Sequence, residues 1–136
     1  MRPAPSLAFV AAGLVLAGCG GSSAGSKALP GCAGAGAAVA DALPPSFPLP
    51  QGAVIDRKGH ELGNRTAEGF VPGKLEDVRD YYGRELGKRG YTLGEGDAEE
   101  HEAEADFSGH GVTGHFKLHD LAGCEGALTI AVAWRV

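Results

Sequence analysis

Past its first twenty positions the sequence has no long hydrophobic run, and nowhere does it cluster its basic residues. Lys and Arg number 12 against 17 Asp and Glu, for a formal net charge of −5. Phosphate contacts need grouped Lys and Arg, so this balance argues against a nucleic-acid partner. It equally opposes docking onto anionic lipid by charge alone. Serine is sparse in the C-terminal two thirds, where Ser46 and Ser108 stand outside any G-x-S-x-G elbow. No phosphate-cradling loop, dinucleotide fingerprint or internal repeat is present. Catalysis is therefore not expected, and no cofactor is expected either. What the chain has in quantity is glycine, 23 residues in 136, with 8 prolines. That length allows one domain.

Residues 1–19 (MRPAPSLAFVAAGLVLAGC) place one positive charge, Arg2, before an apolar stretch over 7–16. Ten residues make about 15 Å of helix, half of a ~30 Å hydrocarbon core. That is too short to span a membrane and suits the core of an export signal. The ending Leu16-Ala17-Gly18-Cys19 resembles the lipobox of bacterial lipoproteins, and Gly20, Gly21, Ser22 and Ser23 follow it. The resemblance implies a diacylglyceryl group on the Cys19 thiol and cleavage before Cys19. Residues 1–18 are then a lipoprotein signal peptide, 19–43 a lipidated Gly/Ser/Ala-rich tether, and 44–136 a small extracytoplasmic domain. Acyl chains contribute about 0.8 kcal/mol per buried methylene, enough for several to hold a soluble domain on a bilayer. The expected location is the extracytoplasmic face of the cell membrane. The richness in Ala and Gly further resembles proteins of high-GC Gram-positive bacteria. With Arg2 removed, 11 basic and 17 acidic residues remain, a net −6.

With Cys19 acylated, Cys32 and Cys124 are left as an even pair in an oxidising compartment, where a disulfide is expected. A domain of roughly 90 residues buries only about 60–65% of its unfolded surface, so a covalent staple is useful to it. Closing a loop of about 90 residues contributes roughly 4–5 kcal/mol in the chain-entropy picture. A cysteine in such a staple is not a nucleophile.

Residues 44–52 (PPSFPLPQG) hold four of the prolines and should run extended, with Phe47 and Leu49 packing on the domain edge. Strands are expected over 53–58 and 65–71, joined by a turn over 59–63 that contains His60, and Pro72-Gly73 ends the second. The period then changes. Leu75, Val78, Tyr81, Tyr82 and Leu86 fall at helical spacing over 75–89. Glu76 and Asp77 in the first turn and Lys88 and Arg89 in the last suit the helix dipole, and Gly90 is placed as the stop. Gly83 and Gly87, four apart, suggest a close approach of this helix to a sheet. A third strand begins at 91–93, and others are expected over 98–107, 112–121 and 127–136. In the last, Leu128, Ile130, Val132, Trp134 and Val136 alternate with Thr129, Ala131, Ala133 and Arg135, the period of a strand with one buried face. The expected fold is α+β, one helix on an antiparallel sheet of five or six strands in the order β-β-α-β-β-β-β.

The chemistry concentrates in EEHEAEADFSGHGVTGHFKLHD, residues 99–120. With 108–111 as the turn, Glu104 faces His115, Glu102 faces Lys117 and Glu100 faces His119. Phe107, Val112, Phe116 and Leu118 share the other face. The simplest role is a solvated acid–base face. The alternative is a metal site built from Glu104, His115 and His119. Strand geometry opposes it, because His115 and His119 are then about 13 Å apart along the axis, while ligand nitrogens lie about 2 Å from a shared zinc.

The runs PLPQGAVI, VPGKLEDVRDYY, RGYTL, EAEADFSGHG and GC resemble small uncharacterised actinobacterial lipoproteins, a resemblance that implies no particular activity. The leading expectation is a tethered binding or interaction module of the cell envelope. It meets the membrane through lipid on Cys19 and either an envelope protein or a small apolar ligand through its domain. A metal-handling lipoprotein is the second expectation and an envelope hydrolase the third. A dry cavity between helix and sheet would favour the ligand carrier, and converging His and Glu side chains would favour metal.

Overall fold

The computed structural model describes residues 36–136. The expected signal segment, Cys19 and Cys32 lie outside the described residues. The described fold is α+β, as the periodicities require. Strands β1 (Val54–Glu61) and β2 (Asn64–Pro72) precede helix α1 (Leu75–Lys88). Strands β3 (Thr92–Ala98), β4 (Glu102–Gly109), β5 (Val112–Asp120) and β6 (Ala127–Arg135) follow it. All six form one antiparallel sheet, ordered β1-β2-β6-β5-β4-β3. The last strand thus enters the middle and joins the two hairpin arms. Leu128, Ile130, Val132 and Trp134 of β6 are buried as their alternation demands. Val136, expected to continue that row, lies beyond the last ladder pair and is 91% exposed.

Helix α1 buries Val78, Tyr82 and Leu86, an i, i+4, i+8 stripe, against the half of the sheet formed by β3, β4 and β5. It ends in a Schellman motif. Gly90 takes φ +85°, the Tyr91 N–H donates to the Leu86 carbonyl at 3.0 Å, and the Gly90 N–H donates to the Gly87 carbonyl at 3.2 Å. The expected close approach at Gly83 and Gly87 is not found. A Cβ at either position would meet nothing within 4 Å, for Gly87 is exposed and Gly83 borders an open cleft between the helix and the β3–β4 edge.

A strap preceding β1 covers the rest of the core-facing surface. The Val39 N–H donates to the Ile55 carbonyl at 2.8 Å, and Ala42 is buried, so packing begins upstream of Pro44, within the stretch expected as tether. Phe47 anchors the strap, its ring centroid 5.1 Å from Phe107, 5.7 Å from Tyr82 and 6.3 Å from Phe116. The Tyr91 hydroxyl donates to the Pro45 carbonyl and ties the strap to the exit of the helix.

The β4–β5 hairpin departs from the expected register. His110 and Gly111, at φ +52° and +74°, form a two-residue turn of the kind that matches strand twist, so Gly109 pairs with Val112. Every pairing moves by two relative to a four-residue turn. Asp106 faces His115, Glu104 faces Lys117, and Glu102 faces His119. An even shift leaves each residue on its expected face, so the core assignment of Phe107, Val112, Phe116 and Leu118 stands while the expected partners do not.

Candidate ligand-binding site

Polar side chains gather at several surfaces, among them the β5–β6 loop end, where His101 Nδ1 lies 3.1 Å from Asp120, and two of them bear on the expected roles. The first is the face of the sheet opposite the core. There the Lys117 ammonium lies 2.7 Å from Glu102 and 3.8 Å from Glu104. The hydrogen bond to Glu102, reinforced by the surrounding carboxylates, holds its proton more tightly than usual. His115 Nδ1 donates to Asp106 at 2.9 Å, and its Nε2 lies 3.4 Å from Glu104. Glu104 and His115 therefore do meet, diagonally across the ladder rather than face to face. His119 does not join them. It lies opposite Glu102, and its Nδ1 donates to the Asp120 carbonyl at 2.7 Å. Among the described residues no three His, Cys, Asp or Glu side chains converge as a metal site would need.

The second surface is a pocket of about 780 Å³ at the far end of the strap. Its apolar wall is formed by Ala42, Leu43, Pro44, Pro45, Val112 and Trp134. The side chains of Lys58, His60, Arg65, His110 and Asp41 line it as well. A smaller cleft of about 290 Å³ opens at the β3–β4 edge of the helix–sheet layer, lined by Arg79, Gly83, Leu93 and Phe116, but the 780 Å³ pocket lies away from that layer, whose middle Phe47, Tyr82, Phe107 and Phe116 fill with rings in contact. It lies where the strap replaces the helix as the cover. A proline-rich strap with Asp41 and Ser46 at φ +51° and +59° cannot set a continuous ridge of side chains into the sheet, and a concavity remains.

How Lys58 and His60 reach this pocket follows from one irregularity. Between Ile55 and Arg57 the β1–β2 register shifts, with Asp56 as the extra residue of a β-bulge. Ile55 is buried opposite Gly69, and strict alternation would bring Arg57 and Gly59 to the same side. The bulge instead aligns Lys58 with Ala67 and His60 with Arg65 on the core-facing side, while Arg57 turns outward to an ion pair with Glu68 at 2.8 Å. Arg65 in turn lies opposite Trp134 of β6. The bulge requires the glycine across from it. A Cβ on Gly69 would lie 2.1 Å from the Val54 carbonyl oxygen and 2.8 Å from the Ile55 Cα.

The expected turn over 59–63 therefore gives way to a longer strand and a two-residue turn at Leu62-Gly63, which places His60 in β1 rather than in a loop. A signal was present in the sequence, since an isolated glycine inside a strand pattern, here Gly69 in AEGFV, marks a bulge. His110 serves the pocket from the β4–β5 turn. Its Nε2 donates to the Arg89 carbonyl at 2.6 Å and its ring lies 4.8 Å from that of Tyr91, so the turn is docked on the helix exit.

Cys124 lies at the opposite end of the sheet, half-buried in the β5–β6 loop. No helix among the described residues is long and apolar enough to cross a membrane. No family profile, curated protein or solved structure matches this chain, so its function must be read from its own residues.

Proposed function

We propose that the chain is a lipid-anchored binding module of the cell envelope, held on the extracytoplasmic face through Cys19, with the pocket beneath residues 41–45 as its working surface. The observation that carries this reading is the pocket itself, about 780 Å³ with Trp134 and Val112 in its wall. That is the size and lining of a small-molecule site. Binding rather than catalysis is favoured because His110 is already committed to the Arg89 carbonyl and Lys58, His60 and Arg65 stand exposed.

A Cys32–Cys124 disulfide belongs to the same proposal. Gly36 lies against Asp56 near the start of β1, and Val54 shares a cross-strand row with Phe70 and Thr129. The incoming chain thus stands at the end of the sheet that carries the β5–β6 loop.

Expression in a bacterium fed labelled palmitate tests the anchor. The chain should take up label and fractionate with membranes, and Cys19→Ala should abolish both. A product that retains residues 1–18 and carries no label would overturn the reading.

A further inference from the structure

Resting on the reading of this pocket as a binding site, we infer that its ligand is a small amphipathic anion, a carboxylate or phosphate on an apolar body. The wall formed by Leu43, Pro44, Val112 and Trp134 suits the body, and Lys58 and Arg65 suit the head. The charge there runs against the whole molecule. In a chain of net charge −5, the pocket is lined by two permanent cations and two histidines against one acidic side chain, Asp41.

Among the described residues, neither cation is neutralised by a carboxylate. Arg57, Arg79, Lys88 and Lys117 each lie within 4 Å of a carboxylate. Among the described residues Arg65 makes no such pair, and the Lys58 ammonium reaches the Ala40 carbonyl, at 3.4 Å, and no carboxylate. Unpaired cations occur elsewhere, as at Arg84 on the outer side of the helix. Lys58 differs because a β-bulge, with a glycine that no other residue can replace, is needed to turn it to this side. Arg65 reaches the same rim from β2 beside Trp134, which supplies the flat apolar surface for the ligand body.

Trp134 is the chain's single tryptophan, so it reports occupancy directly. The test titrates the full-length chain, carrying Cys19→Ser so that no acyl group competes, with dodecanoate, dodecyl phosphate and dodecyltrimethylammonium below their micelle concentrations. Both anions should shift Trp134 emission saturably, and the cation of the same chain length should bind at least about ten-fold more weakly, the difference of one charge-assisted contact. Lys58→Ala with Arg65→Ala should lose roughly ten-fold or more in affinity for the anions. Both side chains are exposed, and an unchanged far-UV circular dichroism spectrum confirms the fold.

Equal affinity for anion and cation, anion binding undiminished in the double variant, or no saturable response at all would each overturn the inference. Dodecyl phosphate binding while dodecanoate does not would narrow the head group to phosphate. Because this titration never depends on acylation, its failure leaves the anchor standing, and loss of palmitate labelling leaves the site standing.

Discussion

The two halves of the core-facing surface are covered in different ways. Over β3, β4 and β5, helix α1 lays a regular stripe of Val78, Tyr82 and Leu86 into the sheet, and the open space left there is a cleft of about 290 Å³ at the β3–β4 edge. Beside β1, β2 and β6 the cover is a strap that holds by one buried ring, Phe47, and a few backbone bonds. A helix repeats its side chains every turn and so can fill a layer. A strap with prolines at 44, 45, 48 and 50 cannot, and the space it leaves is the pocket. On the proposed reading, the helix-covered half chiefly supplies stability and the strap-covered half the binding site.

Truncations should separate the halves most sharply. Leu118→Ala, at a fully buried position, should cost about 2–5 kcal/mol in urea unfolding with an unchanged slope, whereas Leu43→Ala, half-buried in the pocket wall, should cost about 1 kcal/mol or less. Equal losses would erase the distinction.

Next in size is Tyr82, whose hydroxyl is buried beneath the helix with no hydrogen-bond partner among the described residues. Tyr82→Phe should therefore be neutral or stabilising, by up to about 1–3 kcal/mol. Burial pushes this hydroxyl far above its ordinary value of 10, and it also raises Tyr81 and Tyr91. A raised folded pKa makes the native state hold its proton longer than the unfolded chain does. The stabilisation is complete below pH 10 and is lost as the pH climbs beyond it. The wild type should lose stability steeply above pH 10, and Tyr82→Phe should lose it less steeply. A parallel decline in both proteins would show that Tyr82 is not the group responsible.

The smallest effect belongs to the β1–β2 turn. Leu62 sits at φ +49° and is 95% exposed, so it carries backbone strain with no packing in return. Leu62→Asn, giving Asn-Gly in a two-residue turn, should raise stability by about 1 kcal/mol without affecting the pocket. A destabilised variant would show that Leu62 makes a contact that this turn does not display.

The half covered by the helix was the legible one. Helix α1 matched its apolar stripe and its Gly90 stop to within a residue, because both signals are local. The faces of β4, β5 and β6 followed from alternation alone. Pairing partners in the β4–β5 hairpin did not, since faces repeat every second residue and only the turn length fixes which even shift is taken. The pocket was least legible. Trp134 could be placed in the core by period, but Lys58, His60 and Arg65 come to one rim only through the Asp56 bulge and its contact with Gly69. The strap was hidden because Ala and Gly around residues 36–43 give the same composition whether a segment packs or not.

The most direct test of the division of labour is a map of backbone amide shifts on adding dodecanoate to the isotopically labelled chain. Changes should centre on residues 41–45, 58–60 and 65–66, the 110–112 turn and Trp134, with Tyr82 and Leu86 undisturbed. Shifts that instead run along helix α1 and the facing strands β3 to β5 would contradict a site beneath the strap and place the ligand in the smaller cleft between helix and sheet.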